Sequence, residues 1–252
     1  MSSAPITPAL ETTALSEPAR IVDTFIAPSK TFTDIRRSAA WWGPFLITVI
    51  LSVAFIYAVD LKVGFRRVVE NQVERSPKAA QRLDQLPRED RNNQLNAQAK
   101  GTRYFMYGLP IFFLLWNLII AAILFGTFKL ALGADDLTFS ATYAVVWYAG
   151  LVVSIRTILA IIMLFAGLDP AAFNLQNSAP TNPGYFMDPG SSPFLYSVAT
   201  SIDIFMIWTL LLTALGLGII TKRLKFSTTA TVVLGWYAVF VFGSAAIAAL
   251  LS

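Results

Sequence analysis

Apolar residues fall into five long blocks along this chain, separated by polar segments, and none of the blocks alternates with a period of two. The first, residues 38–59, is uncharged and opens on Trp41-Trp42, a pair suited to a headgroup interface. The second covers 104–128. The third, 137–168, is interrupted only by Arg156, and the fourth, 189–221, only by Asp203. The fifth covers 227–252. Crossing a hydrocarbon core ~30 Å thick takes about 20 helical residues, and four of the blocks reach that length without counting any charged position. Lipid offers a backbone no hydrogen-bond partners, so such blocks must be helices. The expected fold is all-α: a polytopic membrane protein with spans near 41–60, 104–130, 137–168, 194–221 and 227–251, forming a membrane domain over 41–252.

The polar segments have their own patterns. Residues 1–19 are rich in Pro, Thr and Ser and read as a disordered tail. Residues 20–40 differ. Ile21, Val22, Phe25 and Ile26 share one helical face, Pro28 breaks it, and Ser29 can cap a second short helix carrying Phe32 and Ile35. That spacing predicts an amphipathic segment at the membrane interface, against the plainer alternative of an ordinary linker. Residues 61–103 hold ten Lys/Arg and five Asp/Glu. Ser76-Pro77 and Leu86-Pro87 look like helix starts there, so a hydrophilic helical excursion is expected, its last helix running into the second span. Its charges read as a solvated face. Between the third and fourth spans, Phe173, Tyr185 and Phe186 can fold back over the bundle, although composition alone fits a disordered loop equally well.

Composition narrows the chemistry. Of 252 residues only 13% are charged, against about 25% in soluble domains. With no cysteine and no histidine, thiolate nucleophiles, disulfides, histidine bases and the usual zinc or haem sites drop out. Asp135-Asp136 has no second carboxylate at its depth and reads as a cap for the third span. No enzyme, cofactor or metal is expected, and no nucleic-acid surface is visible. The partner that composition does imply is the lipid bilayer. No protein partner is identifiable, and a homo-oligomer stays open. For orientation, the ten basic residues of the excursion oppose an inside N-terminus. The short connections favour it: Lys222, Arg223 and Lys225 in one, and no Lys or Arg between Asp169 and Pro193. Short loops carry more weight in this rule, so the N-terminus is expected inside.

Two turns read alike. LTFSATYAVV begins at Leu137, LKFSTTATVV begins at Leu224, and six of their ten positions match. The preceding spans align Trp116 with Trp208 and Ala122 with Ala214, which predicts an internal repeat of spans two and three in spans four and five.

The order of parts resembles the Yip family of Ypt/Rab-interacting-type membrane proteins, in particular its prokaryotic branch. The resemblance rests on the FIAPSKTF segment, the tryptophan-led first span, the hydrophilic excursion, and the GADDLTFS turn leading into VVWYA. It implies a five-span bundle with a cytoplasmic N-terminus in a bacterial inner membrane. It also implies a non-enzymatic, membrane-organising or trafficking-like role. Nothing before Trp41 marks a GTPase-binding surface.

Two charges remain inside the spans. Arg156 lies 20 residues beyond Asp136, and Asp203 lies 19 before Lys222, so both sit ~30 Å from the same boundary on consecutive antiparallel helices. An intramembrane charge needs a partner at its depth, which predicts an Arg156–Asp203 ion pair, with Asn117 able to hydrogen-bond across helices deeper in the second span. Arg156 can then be a structural pin, part of a small-solute or proton-coupled transport pathway, or a side chain that snorkels to the interface.

Overall fold

The structure, a computed structural model, describes residues 14–188, 192–222 and 224–251. Two short helices come first, α1 (Glu17–Ile26) and α2 (Pro28–Ile35). The first long apolar helix, α3 (Trp42–Lys62), leads into α4 (Phe65–Glu74) and α5 (Pro77–Asp84). Gly64, at φ 79°, makes the sharp turn from α3 to α4 in a backbone region that favours glycine. α6 (Arg88–Gly126) ends in a π-helical turn and is followed by α7 (Phe139–Phe165). After a connection with a 3₁₀ turn at Pro183–Phe186 come α8 (Pro193–Ser201), α9 (Ile204–Thr221) and α10 (Phe226–Leu251). Five helices, α3, α6, α7, α9 and α10, are long and apolar enough to cross a membrane. The described residues contain no strand. The chain is thus an all-α integral membrane protein.

The 39 residues of α6 span about 58 Å, nearly twice a hydrocarbon core, so its polar first half stands outside the bilayer. Topology then sorts the polar parts to two ends. The N-terminal end carries α1, α2 and the short α6–α7 and α9–α10 connections; the opposite end carries α4, α5 and the long α7–α8 connection.

α7 is the central helix. From Ala141 to Ala149 every residue is buried, as expected of a helix apolar all round and packed on several sides. One core surrounds it with Phe32, Leu124, Phe128 and Leu217. Trp41 stacks on Trp147 at 6.0 Å and meets Tyr143 edge-on at 5.1 Å, which ties the start of the first span to α7. A second core at the opposite end gathers Val59, Phe65, Val68, Leu95, Leu164 and Phe173 from α3, α4, α6, α7 and the α7–α8 connection.

Several expectations change. Most of the expected disordered tail, residues 1–13, lies outside the described residues. Glu17 to Ala19 are already helical, because Ser16 accepts from the Ala19 amide and Pro18 sits in the first turn, a standard start signal. α2 begins at Pro28 with Ala27 before it, so Ser29 is not its cap. Asp135 and Asp136 are exposed in a turn, and Thr138 caps α7 by accepting from the Ala141 amide at 3.3 Å. Both α7 and α10 start at the phenylalanine of the two similar turns, Phe139 and Phe226.

The amphipathic segment also does more than rest on a surface. Phe32 and Ile35 are fully buried, and Phe32 packs on Gly216 of α9, where an added Cβ would lie 2.9 Å from its ring and 2.6 Å from Val145. Val22 and Ile26 face outward. A buried arginine fixes the arrangement. Arg20 donates to Asp34 Oδ2 at 2.5 Å, to the Ser38 carbonyl at 2.9 Å and to Glu17 Oε1 at 3.2 Å, while Tyr148 of α7 donates to Glu17 Oε2 at 2.6 Å. Burial pushes the Asp34 carboxyl up, but hydrogen bonds from Arg37 and Arg20 outweigh this and hold it below the ordinary carboxylate range.

Candidate functional site

The expected fourth span is two helices, broken at Ile202 and Asp203, and the break organises the site. Asp203 has extended backbone angles (φ −95°, ψ 133°) and caps α9. Its Oδ1 accepts from the amides of Phe205 at 2.9 Å and Met206 at 3.2 Å. Its Oδ2 accepts from the Thr181 hydroxyl. The Ile204 amide donates to the Thr181 carbonyl at 3.2 Å, and Tyr237 of α10 donates to the Ser201 carbonyl at 2.6 Å. Backbone freed by a break at membrane depth must find partners within the protein, and these contacts supply them.

The α7–α8 connection therefore packs into the end of the bundle, although Phe186 remains exposed and Tyr185 half-buried. Asn177 and Asn182 exchange reciprocal side-chain hydrogen bonds of 3.2 and 2.8 Å. Asn71 of α4 donates to the carbonyls of Pro170 at 2.7 Å and Phe173 at 3.0 Å. Arg75 donates to those of Phe173 and Ala172, each at 2.9 Å. The excursion thus satisfies the carbonyls of the connection that lies over the bundle.

Arg156 of α7 reaches this latch from the side. Its Nη1 lies 3.6 Å from Asp203 Oδ2, ion-pair range but too long for a hydrogen bond. The two partners differ sharply in environment: the Asp203 side chain is 3% exposed and that of Arg156 is 36% exposed. A charge at the centre of a span costs about 2.5–3.5 kcal/mol on insertion scales. Asp203 meets that cost with three hydrogen bonds besides the arginine, whereas among the described residues Arg156 has no hydrogen bond of its own.

Arg156 opens onto a cavity of about 1010 Å³ enclosed by α3, α6, α7, α9 and α10. Gln72, Thr102, Gln176 and Ser178 line the end beneath the α7–α8 connection, and Phe113, Ile120, Leu124 and Val146 line the other. Asn117 lines the cavity too, but it forms no interhelical hydrogen bond among the described residues. It lies nine residues before the end of α6, about 14 Å along the helix, whereas Arg156 lies 17 residues, about 26 Å, from the same end of α7. Arg156 and Asn117 therefore share a cavity at different levels, while Arg156 and Asp203 are brought together. No group of three or more metal-binding side chains occurs among the described residues.

The family model of the Yip1 domain matches residues 22–249, from α1 to near the end of α10. The chain belongs to the Yip1 family. Neither the curated proteins nor the solved structures compared with it contain a match. The Yip1 domain thus takes in the candidate spans, the helix break, the cavity, and the α1–α2 hairpin from Val22 onward, with the first half of α1 and its Arg20 outside the match. Thr181, Tyr237, Asn71 and Arg75 are parts of its site that sequence reasoning missed. Only the cap had a local signal, an aspartate directly before an apolar helical run.

Proposed function

We propose that this Yip1-family protein is a non-enzymatic scaffold that organises the bacterial cytoplasmic membrane, with α1 and α2 on the cytoplasmic side. The carrying observation is the commitment of Asp203. A carboxylate that accepts two backbone amides and a threonine hydroxyl holds a helix break and a connection together, which is a structural task. The cavity supports the same reading. Its mainly apolar half runs toward the packed core around Phe128, Tyr148 and Leu217, and no charged side chain lines it besides Arg156. The repeated F-S-x-T turns fit an internal duplication that needs no transport function.

A transporter for small solutes or protons is the second reading, because the Arg156 guanidinium is exposed within a cavity. Proteoliposome flux decides between them. A scaffold leaves proton and solute leakage equal to that of empty vesicles, and protein-dependent flux abolished by Asp203→Asn overturns it. The cysteine-free chain also allows topology to be read from single cysteines. Ser29→Cys should be labelled by an impermeant maleimide only from the cytoplasm and Asn93→Cys only from outside; the reverse pattern refutes the orientation.

A further inference from the structure

We propose that the cavity is a binding site for one anionic phospholipid, with the phosphate at Arg156 and an acyl chain along the apolar half. This goes beyond the scaffold reading and does not depend on it. The first support is an imbalance within the ion pair. Asp203 is satisfied by Phe205, Met206 and Thr181 before Arg156 contributes. Arg156 offers five N–H donors and meets only one carboxylate oxygen, at 3.6 Å. Its remaining donors are directed at no described protein acceptor, and its exposed surface belongs to the cavity wall. A planar guanidinium fits two oxygens of a phosphate, the missing acceptor in shape and charge.

The second support is the two-part lining. Gln72, Thr102, Gln176 and Ser178 add polar groups at the Gln176 end, while the Leu124 end is mainly apolar, its Thr48 and Thr213 hydroxyls bonded to their own helices; this suits a molecule with a polar head and an apolar tail. On α6 the lining runs from Gly101 to Leu124, about 35 Å of helix, long enough for an extended acyl chain. The volume stands at the upper end of small-molecule sites.

The third support is a side entrance. α6 packs on α3 and α7, and α10 packs on α8 and α9, so α6 and α10 face each other across the cavity. Trp116 against Phe240 and the Trp236 indole donating to Thr127 bridge them. Ile119 of α6 and Val239 of α10 line the cavity and remain 51% and 63% exposed, so protein packing does not seal this seam. A molecule entering along this seam comes from the bilayer, which favours a lipid over a soluble anion.

Native mass spectrometry of delipidated protein titrated with defined lipids tests this. Phosphatidylglycerol should give a one-to-one adduct at least tenfold tighter than phosphatidylcholine with the same chains, and inorganic phosphate should not compete at millimolar concentration. Arg156→Gln should abolish the preference, and Arg156→Lys, which keeps the charge but loses the fork, should reduce it. Ile120→Trp should fill the apolar half and weaken binding with Arg156 intact. It keeps the test open if the arginine variants fail to fold, which size-exclusion profiles would reveal. Equal affinity for the two lipids, a preference unchanged in folded Arg156→Gln, or unchanged binding in folded Ile120→Trp overturns the proposal. Displacement by inorganic phosphate assigns the site to a free anion and overturns the lipid.

Discussion

Truncating the two members of the intramembrane pair should have unequal effects. Asp203→Ala leaves the Phe205 and Met206 amides and the Thr181 hydroxyl without their acceptor. Each stranded buried donor costs about 1–3 kcal/mol. Some first-turn amides can relax toward the cavity, so the lower half of that range applies, about 3–6 kcal/mol in total. Arg156→Gln removes a single 3.6 Å contact from a side chain 36% exposed. Partly exposed pairs contribute about 0–1 kcal/mol, and removing an intramembrane charge offsets even that, so the net change stays within about 1 kcal/mol. For a domain of this size 1 kcal/mol moves Tm by about 2–4 °C, so about 4 kcal/mol for Asp203→Ala corresponds to a loss of about 8–16 °C, against less than about 4 °C for Arg156→Gln. Intrinsic tryptophan fluorescence during heating reads both, in nanodiscs of zwitterionic lipid so that anion binding does not contribute. The swap Arg156→Asp with Asp203→Arg should rescue nothing, because an arginine cannot accept from the α9 amides. Equal losses in the two single variants, with recovery in the swap, would show that a symmetrical ion pair holds the helices and would refute the cap.

Three further outcomes follow from the packing. Because Asp34 has a lowered folded pKa, its contribution is present above the ordinary carboxylate range near pH 4 and is lost as pH falls through the folded value. Tm should therefore drop as pH falls below about 4, and Asp34→Asn should flatten that part of the profile. Gly216→Ala puts a methyl group 2.6 Å from Val145 and should cost about 1–3 kcal/mol by overpacking, whereas Gly235→Ala, with nothing within 4 Å, should be neutral or slightly stabilising. Asn71→Leu strands the Pro170 carbonyl and leaves that of Phe173 to Arg75 alone, and limited chymotrypsin digestion should then cut the α7–α8 connection faster than in the parent protein.

The five long helices were legible because lipid leaves an apolar block no alternative to helix. The excursion was legible through its Ser-Pro start and its charges, and the depth match of Arg156 and Asp203 through simple counting. The break before α9 was not, because Ser-Ile-Asp-Ile-Phe reads as continuous helix unless its partners are known. Those partners are Thr181, 22 residues earlier, and Tyr237, 36 residues after Ser201. The buried Arg20 was hidden in the same way. Its side chain sits between apolar residues in the sequence, and its main acceptor is 14 positions away on another helix. Local pattern reports which surface a segment prefers. It does not report which distant polar group will meet it.

The clamp between the excursion and the α7–α8 connection has a consequence for biosynthesis. Asn71 and its acceptor Phe173 are 102 residues apart, so at about 5–20 residues per second the acceptor is made about 5–20 s after the donor. Phe173 also completes the core that covers Phe65 and Val68. Throughout that interval α4 is covered only by the neighbouring α5 and α6, waiting for the third span to be inserted before the core can close. The slow step in maturation of the protein should therefore fall at this late docking event rather than at insertion of the first two spans.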